Sequence, residues 1–410
     1  MKKLFADRVL NNDSSELDDI FKNSANPANI SFAGGFPDAA LFPENDLKQA
    51  YQTAIDTAGP SIFQYQSTQG LPALRQKLAQ RMASHAGVMT TAANVLLTQG
   101  GQQAIDLVAK LLLNRGDSMV VEGPTYMGAL TAFDTYEPTY YEVPVDSHGM
   151  DIRQLRQTLQ AHPEIKLIYT VPDFHNPTGT TLSAKRRQAM VALANQYDVM
   201  ILEDSPYRDL RYSGKSLPAI KHYDTEGRVI FISSFSKILS PALRTGWIVA
   251  ADDVMHELIG LKSAIDVQSP NVTLAAINAY LDSHEIDDHV AAINQAYRLK
   301  RDAMLTALDR YMPANVHYTR PAGGFFIWVT LPADIDAKQL LNDVVLPQAH
   351  VAYVPAACQF ASRQVKNAFR LNFTSLTPAT IELGIKRLGE ILQTSTAVVP
   401  ATTMMPAIQF

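Results

Sequence analysis

Cysteine is almost absent from this chain. Cys358 is the only one in 410 residues, so no intrachain disulfide can form, and a metal site built on several thiolates is excluded. No metal is expected, and a reducing, cytoplasmic setting is. Long apolar runs are missing too: no stretch approaches the roughly 20 residues that a membrane span needs. The amino terminus, Met1-Lys2-Lys3-Leu4-Phe5-Ala6-Asp7-Arg8, turns polar too soon for a secretory signal. Positive charge is not in excess. Lys and Arg number 35 against 40 Asp and Glu, a net charge of −5, with a pI of about 6.1. With no basic stripe, neither nucleic acid nor a membrane surface is expected as a partner.

What is present is core-forming material. Hydrophobic residues make up 47% and charged residues 18%, enough for one large domain plus a smaller one. Short apolar runs alternate with helical patterns: Asn94-Val95-Leu96-Leu97, Ser118-Met119-Val120-Val121, Lys166-Leu167-Ile168-Tyr169-Thr170-Val171, Val199-Met200-Ile201-Leu202, Val229-Ile230-Phe231-Ile232 and Gly246-Trp247-Ile248-Val249-Ala250. That alternation predicts a parallel sheet with helices on both faces, an α/β fold. From Val254 to Tyr311 the pattern is helical, with one long helix over Asp287 to Leu308. Beyond it, Phe325 to Val329 and Phe369 to Phe373 read as strands of a smaller α+β unit, with which the N-terminal segment packs. Domain bounds of 45–295 for the large unit, and 1–44 with 296–395 for the small one, follow. A helix start is read at Ser14 to Phe21. From about Thr394, and over 396–410, the chain reads as a loose tail.

The candidate chemical groups stand just after the strands, where ligands of open α/β sheets bind. Ser233-Ser234-Phe235-Ser236-Lys237, with Arg244 beyond, offers hydroxyls and cations for a phosphate dianion. A partly desolvated lysine such as Lys237 has a lowered pKa and can form an imine with an aldehyde. Pyridoxal 5′-phosphate (PLP) carries both an aldehyde and a phosphate. Gly101 and Gln102 open a helix after a strand, an anion site in outline. Asp204 can keep a pyridine nitrogen protonated, or merely cap a helix. Asn176 and Tyr207 can donate to the phenolic oxygen of PLP, although Asn176-Pro177 also makes an ordinary turn. Tyr126 can stack on the ring or sit in the core. Arg370, between Phe369 and Leu371, suits an α-carboxylate, or pairs with a surface acid at a strand edge. Gly34-Gly35 reads more readily as a turn than as a close approach.

With these groups in order, the chain resembles the class I/II PLP-dependent aminotransferases, most similarly the 2-aminoadipate and multi-substrate branch. The matching stretches are Ser31 to Pro37, Gly100-Gly101-Gln102-Gln103-Ala104, Asn176-Pro177-Thr178-Gly179, Glu203-Asp204-Ser205-Pro206-Tyr207, Ser234-Phe235-Ser236-Lys237 with Pro241 to Arg244, Arg320 to Phe326 and Arg370-Leu371-Asn372-Phe373. They run through roughly residues 30–390. The resemblance implies the PLP-dependent transferase fold type I: a mostly parallel seven-stranded sheet between helices, plus a smaller α+β domain. It implies Lys237 as the Schiff-base lysine, Asp204 as the pyridinium partner, and Asn176 and Tyr207 on the phenolic oxygen. Ser234, Ser236, Arg244, Gln102 and the Gly101 backbone would hold the phosphate. Arg370, with Asn176 and the Gly35 backbone, would hold the substrate carboxylate. Tyr65 matches a tyrosine that reaches the neighbouring subunit's phosphate, so a homodimer with shared sites is implied. Amino acids and 2-oxo acids such as 2-oxoglutarate are the implied substrates.

Departures from the pattern matter. Gly101 stands where the family more often has serine, and Ala356-Ala357 replaces a glycine pair. Asp18 falls where aminoadipate-specific relatives carry an arginine, which favours aromatic or large aliphatic donors over acidic ones. A lyase on the same fold is an alternative. The effector domain of a PLP-dependent regulator is another, but fewer than about thirty-five residues precede Gly34-Gly35, too few for a winged helix-turn-helix.

Overall fold

The computed structural model describes residues 4–10, 22 and 26–396. Its strands are β1 (Ile30–Ser31), β2 (Val95–Thr98), β3 (Ser118–Gly123), β4 (Thr139–Asp146), β5 (Gly149–Met150), β6 (Ile165–Thr170), β7 (Met200–Asp204), β8 (Val229–Ser234), β9 (Gly246–Val249), β10 (His317–Tyr318), β11 (Phe326–Thr330), β12 (Val351–Ala352), β13 (Val354–Pro355) and β14 (Ala368–Asn372). The longer helices are α1 (Glu44–Ala58), α2 (Pro72–Arg81), α3 (Gly100–Leu112), α4 (Met127–Asp134), α5 (Ile152–Ala161), α6 (Ala184–Tyr197), α7 (Asp252–Asp266), α8 (Asn271–Ser283), α9 (Ile286–Tyr311) and α10 (Pro378–Thr396).

One large sheet runs in the order β2-β9-β8-β7-β6-β3-β4-β5. Strands β3, β4, β6, β7 and β8 are mutually parallel. Strand β9 is antiparallel to β8 and β2. Seven strands make the body of the sheet, and the two-residue β5 adds an eighth by folding back on β4. Strand β4 is the member that the apolar runs did not mark. It is only half-buried along most of its length and carries Pro144, as strands near a sheet edge can.

Parallel strands are buried on both faces, and their alternate residues feed two cores. Val120, Ile168 and Ile201 pack with α5 and α6 on one side. Met119, Val121, Leu167, Tyr169 and Leu202 join the larger cluster on the other. The register sets Tyr169 beside Leu202, so Tyr169 and Asp204 lie on the same face.

A second, antiparallel sheet has the order β10-β11-β14-β13. β1 pairs with β12 in a separate two-stranded sheet, and Phe32 donates to Ala352 and accepts from Asn372 of β14, both at 2.8 Å. The long helix α9 and α10 pack together beside this sheet. α10 continues to Thr396, so Thr394 to Thr396, read as the start of a tail, are helical. Asp18, the helix start at Ser14 to Phe21 and the remainder of the tail lie outside the described residues. Among the described residues, no helix is long and apolar enough to cross a membrane.

Candidate active site

Where the large sheet ends, its parallel strands deliver their following residues to one cavity of about 460 Å³. β2 leads to Gly101 and Gln102, β3 to Tyr126, β6 to Asn176, β7 to Asp204 and Tyr207, and β8 to Ser234, Ser236 and Lys237. Arg244 precedes β9, but that strand runs the other way, so its start lies at the same sheet edge. Arg370 enters from β14, and Gly35 from the stretch after β1. All of these line the cavity. Tyr65 does not; it is 77% exposed on the outer surface.

Lys237 is half-buried, and its Nζ donates to the carbonyl of Gly35 at 2.8 Å. Burial first, then the nearby Arg370 and Arg244 charges, pull its pKa down to about 8, against the pull of Asp204. Gly34-Gly35 is therefore not a simple turn. It is a close approach, in which a Cβ on Gly35 would sit 3.1 Å from Phe326 Cζ. Asp204 is 5% exposed, and its Oδ2 accepts from the Tyr169 hydroxyl at 2.8 Å. Burial pushes its pKa up to about 7, with Glu122 adding to the effect and Tyr169 and Lys237 opposing it. The helix-cap reading fails, since no helix starts at Asp204.

Arg370 sits in a central strand, β14, between β11 and β13, and not at a sheet edge. It donates to Asn176 Oδ1 at 2.9 Å and to the Ala33 carbonyl at 2.7 Å, and lies 4.2 Å over the Phe326 ring. Asn176 also donates weakly to the Tyr207 hydroxyl, at 3.4 Å. Burial holds that phenol far above its usual pKa, so it stays a donor. Arg244 occupies left-handed backbone, φ 44°, and donates to the Gln99 carbonyl at 3.0 Å. Gly100, at φ 79°, is required beside it, because a Cβ there would strike the guanidinium. Ser234 Oγ accepts from the Ser236 amide at 3.3 Å. The first amides of α3 lack helical acceptors by geometry.

Among the described residues, neither Arg244 nor Arg370 makes an ion pair with a carboxylate, and Asp204 has no cation in contact. The site calls for a ligand that supplies two anionic groups and one protonated nitrogen.

The comparisons agree with the geometry. The profile of the family described as "Aminotransferase class I and II" matches residues 36–388. The chain belongs to this family. It is 39% identical over 396 residues to the aromatic-amino-acid aminotransferase 1 of Thermococcus litoralis, covering 96% of this chain and 94% of that one. It is 33% identical to the 2-aminoadipate transaminase of Thermus thermophilus, covering 93% and 94%. The crystal structure of the Pyrococcus horikoshii kynurenine aminotransferase, in complex with PMP, superposes with a TM-score of 0.92 at 37% identity, covering 96% and 98%. This is an amino acid aminotransferase of fold type I, and its cofactor is PLP.

The residues fit that cofactor. Its phosphate and a substrate carboxylate would match the two arginines, and its ring nitrogen would match Asp204. Two parts of the aminotransferase site escaped the reading of the sequence. Tyr169, fully buried in β6, is one; its signal was a hydroxyl in a strand with no solvent to satisfy it. The other is Glu122, which accepts from Thr170 Oγ1 and the Val171 amide, both at 2.9 Å, and lies 3.1 Å from His175 Nε2. His175 Nδ1 in turn meets Thr178 Oγ1 at 2.8 Å. This buried cluster fixes the turn that presents Asn176. An acid ending the apolar run Ser118-Met119-Val120-Val121 was its only trace.

Proposed function

We propose that this aminotransferase takes aromatic or large aliphatic amino donors and passes the amino group to a 2-oxo acid. One observation carries the reading. The cations among the described cavity residues are Lys237, Arg244 and Arg370, and each has a task at the cofactor or the α-carboxylate. Beside them the lining offers apolar surface for a donor side chain: Phe36, Ile105, Met127, Val171 and Phe326. A distal carboxylate would find no partner there and would lose its hydration. The aromatic-amino-acid relative supports the assignment. The 2-aminoadipate relative makes acidic donors the second reading.

When bound, PLP supplies an aldehyde for an amine and a ring that accepts the electrons of a broken Cα–H bond. Asp204 would hold a proton on the ring nitrogen, with its carboxylate oriented by Tyr169. Asn176 and Tyr207 would hold the phenolic oxygen, and Tyr126 would stack on the ring. Ser234, Ser236, Arg244, Gln102 and the Gly101 amide would hold the phosphate. Arg370, braced by Asn176 and with the Gly35 backbone nearby, would hold the α-carboxylate. Lys237, its pKa lowered to about 8, would be the group that takes up and releases the substrate Cα proton. Residues 45–295 form the cofactor domain, while Gly35 and Arg370 come from a second domain, 1–44 with 296–395. Tyr65 points outward to serve the phosphate of a second copy in a cytoplasmic homodimer.

A donor panel tests this. Phenylalanine, leucine and 2-aminoadipate are offered singly, and the absorbance change from the PLP to the pyridoxamine form is followed. Phenylalanine and leucine should give the larger kcat/KM, and Lys237→Ala should abolish the exchange. A clear advantage for 2-aminoadipate would overturn the specificity.

A further inference from the structure

The turn after α7 lies behind the cavity and supplies none of the groups above. Lys262 is completely buried, and its ammonium stands 2.6 and 2.8 Å from the two oxygens of Asp266. The same carboxylate accepts from Nε2 of Gln99 at 2.7 Å and Nε2 of Gln103 at 2.6 Å. Gln103 Oε1 accepts the Gln99 amide at 2.8 Å, which ties the residue preceding α3 to its first turn. The Gln99 carbonyl receives Arg244 Nη2 at 3.0 Å. One carboxylate thus governs both the opening of α3 and the arginine beside it.

The backbone at this point is strained. Val267 has φ 63° and ψ −54°, and the Gln268 amide donates to the Asp266 carbonyl at 2.6 Å. That is a γ-turn of the rare, strained kind, centred on a β-branched residue. Its neighbours hold it in place. Gln268 Oε1 accepts the Gln66 amide, Ser269 Oγ reaches the Leu97 carbonyl at 3.4 Å, and Asn271 Nδ2 donates to the Ile62 carbonyl at 2.8 Å. Such strain persists only where the surroundings over-determine it.

We propose that Asp266 is a positioning residue for the phosphate end of the cavity. Through Gln99 and Gln103 it presets the amides of α3 and the guanidinium of Arg244 to receive a phosphate. The proposal rests on the reading that this end of the cavity holds the cofactor phosphate. Lys262 gives the device its logic. A lone carboxylate behind a phosphate would repel it, whereas the buried Lys262–Asp266 pair is neutral and contributes geometry alone.

The test compares two ligands on the full-length apoprotein: PLP, and pyridoxal, which lacks the phosphate. Asp266→Asn should raise the Kd for PLP about tenfold, and that for pyridoxal less than about twofold. Gln99→Ala, which leaves the Lys262–Asp266 pair intact, should show the same selective loss in smaller measure. The double variant Lys262→Met with Asp266→Leu removes both charges together, and should fold and repeat the result if Asp266→Asn does not fold. Equal losses for PLP and pyridoxal would mean a merely structural role and overturn the proposal. So would unchanged PLP affinity in the folded variants. Arg244→Ala separates the two levels. If it leaves the ratio of the Kd for PLP to that for pyridoxal at the wild-type value, the phosphate reading falls. If it raises that ratio while the Asp266 variants do not, only the positioning role falls.

Discussion

Replacing Arg370 by alanine should cost every substrate the same factor. The guanidinium is 4% exposed, lies 4.2 Å over the Phe326 ring and has two of its donors fixed, on Asn176 and Ala33. Its Nε has no hydrogen-bond partner among the described residues. A carboxylate docking here meets a preorganised fork that water scarcely reaches. Losing one partner of such a desolvated, charge-assisted pair costs about 2–5 kcal/mol, a fall in kcat/KM of about 30-fold to several thousand-fold. Every amino acid and 2-oxo acid carries the α-carboxylate, so phenylalanine, leucine and 2-oxoglutarate should suffer alike. The loss should fall mainly on KM, because the carboxylate does not change charge during the reaction. Arg370→Lys should restore little, because a point charge cannot reproduce the fork. Stopped-flow absorbance of each half-reaction measures the factor. A loss below about threefold, or one confined to a single donor, would refute the assignment and return Arg370 to a structural role.

Two further tests bear on the cofactor end. With no cation against Asp204 in the apoprotein, its folded pKa of about 7 exceeds its unfolded value. The folded state then binds more protons between about pH 4 and 7, and this group's contribution to stability falls as pH rises through that window. Asp204→Asn should remove the fall and stabilise the apoprotein at pH 8 by up to about 4 kcal/mol, read by denaturant unfolding; an unchanged pH profile would argue against an unpaired buried acid. Gly101→Ser should tighten PLP binding by roughly tenfold, the worth of one hydrogen bond to a charged group, since a Cβ at Gly101 meets no atom within 4 Å. Gly100→Ala should instead weaken it, because φ is 79° and the new Cβ would displace Arg244.

The residues that could be read from the sequence are those whose place follows from the chain order of the sheet. A parallel strand delivers whatever follows it to one edge, so Gly101, Tyr126, Asn176, Asp204 and Lys237 could be gathered before any distance was known. Arg244 followed the same logic less directly, since it precedes an antiparallel strand that begins where its neighbours end. What could not be read depended on parity and on contacts between distant segments. Tyr169 supports Asp204 only because β6 and β7 pair in a register that sets both on one face, and a shift of one residue would have turned Tyr169 toward α5 and α6. Glu203 shows the same rule in reverse. It adjoins Asp204 but faces the other side, where it accepts the amides of Ile220 and Lys221 at 2.9 and 2.8 Å, so of two adjacent acids only one reaches the cavity. Arg370 lies 133 residues beyond Lys237 (370 − 237). Nothing local distinguished a cavity-facing arginine from a strand-edge one until β14 proved central and Asn176 proved to be its partner. Asp266 lies further still from legibility. It touches no ligand-facing atom, and its role passes through two glutamine side chains and a strained turn, none of which a run of residues announces.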